Sequence, residues 1–179
     1  MLRRQPQEPL RPRRWLGLLT AVLLAGWGLG CRTVDPRVDR LFASRAADLL
    51  TAPLRVCRLA PEPAEPAVTL QRHGFEVLAG PTPLAAADRR GIVSVLLAPA
   101  TYEWEPTARL RLCGFEPTFA LDGGGLEVLV SLVCDRVRVH AGETFVAEQE
   151  ITDAAHNTIL AWLQRCYPDD SYVQLLQPN

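Results

Sequence analysis

Between Leu121 and Leu126 the chain reads Asp122-Gly123-Gly124-Gly125, with apolar, strand-like runs on both sides. Glycine relieves the steric bar to positive φ that the two central residues of a tight hairpin turn must overcome. RLRLCGFEPTFAL (109–121) leads into the turn and LEVLVSLVCDRVRV (126–139) leaves it. His140-Ala141-Gly142-Glu143 then turns the chain again, into TFVAEQEI (144–151). Strands joined by turns alone pair antiparallel, because a parallel pair needs a crossover of a dozen or more residues. The pattern predicts an α+β fold: an antiparallel β-sheet of about four to six strands, with about three helices packed mostly on one face.

The same turn predicts a disulfide. With Gly123 and Gly124 as its central pair, Asp122 faces Gly125, and counting outward brings Cys113 opposite Cys134. That position is a non-hydrogen-bonded one, where Cα atoms sit about 4.5 Å apart, inside the roughly 4.4–6.8 Å a disulfide spans. Pro117 falls at the same kind of position, where its missing N–H costs the strand pair nothing. A bridge closing a loop of about 20 residues stabilises by roughly 3 kcal/mol in the chain-entropy model. Cys57 and Cys166 are then left to each other by elimination.

Three helices are expected. Asp35-Pro36 is a start signal, and Val38, Leu41, Phe42, Ala46, Leu49 and Leu50 recur at helical spacing over 36–51, before Pro53. A second helix is expected over about 84–97, weakened by Gly91. The third, over 153–166, follows a Thr152 or Asp153 cap and stops before Pro168. LRVCRLA (54–60) reads as a strand, APEPAEPA as a polar loop, and VTLQ with FEVLAG as a hairpin or two short strands around Arg72-His73-Gly74.

The first 31 residues supply an address. Arg3, Arg4, Arg11, Arg13 and Arg14 precede an apolar run from Trp15 to Gly30 that ends at Cys31. A spanning helix needs about 20 apolar residues, so this shorter, glycine-interrupted run suits a secretory signal better. Gly28-Leu29-Gly30-Cys31 resembles the lipobox of bacterial lipoproteins, with glycine where leucine usually stands and the leucine one place late. The resemblance implies that residues 1–30 are a cleaved signal peptide and that Cys31 carries lipid. Residues 31–35 then form a short tether and 36–179 a single α+β domain. The expected setting is the bacterial cell envelope. Arg32 stands where an aspartate holds some lipoproteins in the inner membrane, so the outer membrane, facing the periplasm, is expected. Cleavage leaves 14 arginines against 19 acidic residues, a net charge of −5 with no basic stripe, which argues against nucleic acid as a partner.

The chemistry-bearing residues do not assemble into a known motif. His73 and His140 sit beside turn glycines and His156 lies in the last predicted helix, with no metal-ligand spacing among them. Cys113, Cys134 and His140 are chemically able to bind zinc, but in an exported chain a cysteine pair is more often oxidised. Ser94, Ser131 and Ser171 lack a nucleophile-elbow setting. Tyr102, Trp104 and Phe115 read as aromatic anchors, and Glu103, Glu105 and Glu116 as solvated charges. No cofactor is expected.

YEWEP (102–106), CGFEP (113–117), the glycine turn and an apolar strand ending at Cys134 together resemble an uncharacterised family of bacterial proteins, many of them lipoproteins. The resemblance covers about residues 74–170. It implies a Cys-x-Phe-x-Pro loop and a cysteine-bearing hairpin strand, and carries no activity. Ser131 stands where that family has the first cysteine of a Cys-x-x-Cys, which puts a redox dithiol or three-cysteine metal site in doubt here. Two functions follow as expectations. One is a non-catalytic, membrane-tethered module that binds an envelope protein or peptide. The other is a small hydrolase or thiol-dependent enzyme, marked by His140 or His156 within reach of a nucleophile or carboxylate, or by a thiol of depressed pKa.

Overall fold

Asp35 opens the first helix by accepting a hydrogen bond from the Arg37 N–H, with Pro36 at the first helical position. The computed structural model describes residues 34–68, 70–105 and 113–179. The expected signal peptide and lipid-bearing Cys31, and the first residues of the expected 109–121 strand, lie outside them. Among the described residues, no helix is long and apolar enough to cross a membrane.

The fold is α+β, as the hairpin pattern predicts, but with more elements. Seven strands form one sheet in the order β2-β3-β1-β4-β5-β6-β7, every neighbouring pair antiparallel. They are β1 (Arg55–Pro63), β2 (Gln71–Arg72), β3 (Phe75–Pro83), β4 (Phe119–Gly123), β5 (Leu126–Ser131), β6 (Arg136–Ala141) and β7 (Thr144–Glu150). The helices are α1 (Pro36–Leu41), α2 (Ala46–Thr51), α3 (Ala86–Leu96), α4 (Asp153–Cys166) and α5 (Ser171–Leu175). Among the described residues, seven strands replace the expected four to six, and five helices the expected three.

Each discrepancy has a local cause. The predicted 36–51 helix breaks because Ala43 and Ser44 take positive φ, 54° and 57°, while Val38, Leu41, Phe42, Ala46 and Leu49 all stay buried. The predicted 126–139 strand is two strands. Ser131 Oγ accepts from Cys134 N–H, Thr118 Oγ1 accepts from Leu132 N–H, and Asp135 takes φ 52°, which together end the ladder and turn the chain. Pro61 and Pro63 fall inside β1 instead of in a loop. β3 runs on through Pro81 and Pro83, where beyond Glu76 it pairs only with β1, so the prolines' missing N–H groups are tolerated.

The hairpin turn is shifted by one residue from the predicted register. Gly124 and Gly125 occupy the central positions at φ 62° and 70°, and Gly123 faces Leu126. Two positive φ values in succession define the mirror-image turn that follows strand twist. A Cβ on Gly124 would stand 2.9 Å from Asp48 Cβ, and one on Gly125 would stand 2.7 Å from Arg45 Nη2. Arg45 donates to the carbonyls of both glycines, so α2 clasps the turn.

Alternation along the strands divides the apolar residues between two faces. Val56, Phe119, Leu121, Val128, Val130, Val137 and Val139 join Phe42, Leu49, Ile92, Leu96, Ile159 and Leu163 in the main core. The other face carries a smaller cluster of Cys57, Leu59, Phe75, Ala120 and Leu129.

Candidate functional site

The inner face with the smaller cluster also carries the densest group of titratable side chains. Strand pairing sets Arg55, Asp122, Glu127 and His140 in one row across β1, β4, β5 and β6. The sheet curls until His73, in the β2–β3 turn, reaches this row: its Nε2–H donates to Glu127 Oε2 at 2.9 Å. The His73 and His140 rings stack with centroids 3.7 Å apart and planes at 23°, and Phe145 meets His140 edge-on. Arg72 approaches Asp122 at 3.8 Å and Glu127 Oε1 at 3.5 Å, while Arg55 pairs with Asp122 at 2.6 Å.

The two histidines and Glu127 are nearly closed to water, while Arg55 and Arg72 at the edge are partly exposed. His140 and Glu127 are each 9% exposed, and His140 Nδ1 and Glu127 Oε1 have no hydrogen-bond partner among the described residues. The 3.5 Å approach of Arg72 to Glu127 Oε1 is an ion pair without hydrogen-bond geometry. Burial, then the neighbouring His73 and Arg138, push the His140 pKa down to about 4, with Glu143 pulling weakly the other way. His140 is therefore neutral at pH 7.

Cys57 lies beneath this group with its S–H aimed at the Ala120 carbonyl. Burial pushes its pKa up to about 11, Glu127 adds to the rise, and Arg72 only partly offsets it. A catalytic thiol needs the reverse shift. Cys166, half-buried against the main core, is likewise raised by burial to about 11. Both thiols are free, so the expected Cys57–Cys166 disulfide is not formed. The reason is placement: Cys57 belongs to the inner cluster, whereas Cys166 ends α4 against the main core.

Cys113 and Cys134 are disulfide-bonded, with Cα atoms 5.8 Å apart. The bridge does not join facing strand residues, as the predicted register has it. Cys134 lies in the β5–β6 turn and Cys113 precedes β4, outside any strand. The bridge pins the segment that carries Phe115, which packs on the inner cluster under the Arg138 guanidinium, 3.9 Å from the ring centroid. With both sulfurs joined to each other, Cys113 and Cys134 are not available as zinc ligands beside His140.

His156 stands in a second group. Its Nδ1 lies 2.6 Å from Asp135 Oδ1 and its Nε2 lies 3.2 Å from the Gln177 carbonyl, with Asn179 donating to Asp135. Both ring nitrogens face acceptors, so each donates a proton or shares one with the carboxyl. This places a histidine within reach of a carboxylate, one mark of the enzyme reading. A carbonyl, however, occupies the position a nucleophile would need.

Arg58, 1% exposed, escapes any sequence pattern. Its guanidinium donates to Thr118 O, pairs with Asp170 at 3.1 Å and lies 4.5 Å over the Tyr172 ring, so it fastens α5 to the sheet. Tyr102 gives its hydroxyl to Leu96 O and Trp104 its indole N–H to Pro99 O, which makes both anchors of the loop after α3. Ser94 donates to Gly91 O within α3, and Ser131 caps the β5–β6 turn, leaving neither beside a base.

The fold and its site define an α+β domain whose curled antiparallel sheet closes its inner face with a histidine stack. No family model, no curated protein and no solved structure matches the chain.

Proposed function

We propose that this chain is a lipid-anchored bacterial envelope protein whose α+β domain is a non-catalytic binding module. Its anchor is Cys31, its setting the outer membrane facing the periplasm, and its partner an envelope protein or peptide. The observation that carries the reading is the arginine-rich start and apolar run ending in Gly28-Leu29-Gly30-Cys31. The Cys113–Cys134 disulfide supports it, since such bonds persist in oxidising compartments. The engaged nitrogens of His156 and the raised thiols of Cys57 and Cys166 favour binding over hydrolase or thiol chemistry.

One acyl chain binds membranes only marginally, whereas two or three hold a soluble domain stably. Mass spectrometry of the mature N-terminus tests the anchor, with diacylglycerol on Cys31 and loss of residues 1–30 as the expected result. Cys31→Ser should release the domain or leave an uncleaved precursor. A native protein that keeps residues 1–30, or carries an unmodified Cys31, overturns the reading.

A further inference from the structure

The β2–β3 turn is held to the rest of the sheet by a few backbone bonds and a group of side chains. β2 contributes only two ladder pairs, Gln71 with Glu76 and Arg72 with Phe75. Beyond these, the segment before Phe75 is tied by two backbone bonds, Ala64 N–H to Gly74 O and Val77 N–H to Leu70 O, and by the His73–Glu127 bond, the stack on His140 and the two long approaches of Arg72. His73 itself sits at φ 47°, a left-handed conformation that costs free energy in a non-glycine residue and persists only where surrounding contacts impose it. The contacts of its ring are those to Glu127 and His140. We propose that this turn is an acid-released latch over the inner face, in which the His73–His140 stack holds while His140 is neutral and separates when His140 takes up a proton.

The charges around His140 set the device. From β2 and its turn come Arg72 and His73; from β5, its ladder partner Glu127; from β6 itself, Arg138; and from the β6–β7 turn, Glu143. β7 offers His140 the uncharged edge of Phe145 and offers Arg138 the carboxylate of Glu148, and Asp122 of β4 is occupied by Arg55 and Arg72. Glu127 already receives the His73 proton on Oε2 and faces Arg72 with Oε1. That carboxylate is thus already engaged by His73 and Arg72, and His140 Nδ1 has no partner among the described residues. A proton on His140 would place a cation 3.7 Å, centre to centre, from the His73 ring, with Arg138 also close and Glu143 opposing. A charge buried without a matching partner is costly, and separation returns it to water.

The direction follows from linkage. His140 binds its proton with pKa about 4 in the closed arrangement, against 6.5 when exposed to water. The open form therefore takes up more protons as the pH falls from 6.5 toward 4, and the opening equilibrium rises on the order of a hundredfold over that interval. Opening uncovers Cys57, which lies in the inner cluster with Leu59 and Phe75.

The test is peptide-resolved labelling of Cys57 on the full chain with dithiodipyridine, a thiol reagent active in acid, from pH 7.5 to 3. Hydrogen exchange is followed in parallel. Labelling should rise on the order of a hundredfold as the pH falls. The Ala64 and Val77 amides, which donate to Gly74 O and Leu70 O, should lose protection while α4 and β5 keep theirs. His140→Phe keeps an aromatic stack without a proton site and should leave labelling flat. In the wild type, the NMR titration midpoint of the His140 ring should coincide with the labelling midpoint, which holds the proposal to account even if the variant folds poorly. The proposal fails if labelling does not change with pH, if His140→Phe opens equally, if the two midpoints differ, or if α4 opens together with the turn.

Discussion

Asp135 and His156 form a buried pair, with 2.6 Å between Oδ1 and Nδ1 and side chains 6% and 3% exposed. The pair joins the β5–β6 turn to α4, and through Gln177 and Asn179 it also holds the chain beyond α5. Removing His156 takes a short hydrogen bond from a buried carboxyl that Asn179 still serves, at a cost of about 1.5–3 kcal/mol. His156→Ala should lower unfolding free energy by that amount in urea titration. A loss below about 1 kcal/mol would show that the pair does not secure the chain end.

The disulfide should act on one segment more than on the whole. Cys113 and Cys134 are 21 residues apart in sequence, and for a loop of this size the chain-entropy model gives about 3 kcal/mol. Cys113→Ser with Cys134→Ser should reduce stability by about that figure and release Phe115 from beneath Arg138. Comparing urea midpoints with and without reductant measures the first effect. Exchange of amides over 113–118 against those of β5 measures the second, and equal loosening of both would contradict it.

How far these features could be read from sequence depended on how local their causes are. Helix α4 was legible because its cap and its periodicity lie within one segment: Thr152 accepts from Ala155 N–H, and Ile159, Trp162 and Leu163 fall on the buried face. The glycine turn was legible as a turn but not in register. Three consecutive glycines allow either pair to take the positive φ values, and the choice goes with contacts from Arg45 and Asp48, which are remote in sequence. The break between β5 and β6 was hidden because Leu132 and Cys134 are buried like strand residues, while two hydroxyls do the turning. His73 and His140 each stood out beside a glycine, yet only the curl of the sheet joins them.

The clasp on the hairpin turn can be separated from the backbone requirement by comparing two glycines. Gly124 and Gly142 both take positive φ, 62° and 59°. A Cβ at Gly142 meets nothing within 4 Å, whereas at Gly124 it meets Asp48 Cβ at 2.9 Å and Ala52 Cβ at 3.4 Å. Gly142→Ala should therefore cost about 1–2 kcal/mol, the left-handed backbone alone. Gly124→Ala should cost that plus about 1–3 kcal/mol for overpacking against α2. Equal losses in thermal or urea unfolding would mean that α2 does not press on the turn.

The thiols give the prediction that bears most directly on the choice between a binding module and a thiol enzyme. Burial raises Cys57 and Cys166 from 9.0 to about 11, so at pH 8 each holds on the order of one thiolate per thousand molecules. The same cysteines in the unfolded chain hold on the order of a hundred times more, because only the thiolate is the nucleophile and its fraction falls tenfold per unit. Iodoacetamide at pH 8, followed peptide by peptide, should label both on the order of a hundredfold more slowly in the native protein than in urea. Cys57 should be the slower of the two, since it is 2% exposed while Cys166 is half-buried. Native labelling of either cysteine as fast as in urea would contradict the raised thiols and restore the thiol-enzyme reading. Slow labelling of both leaves Cys57 as a filler of the inner cluster and Cys166 as a filler against the main core.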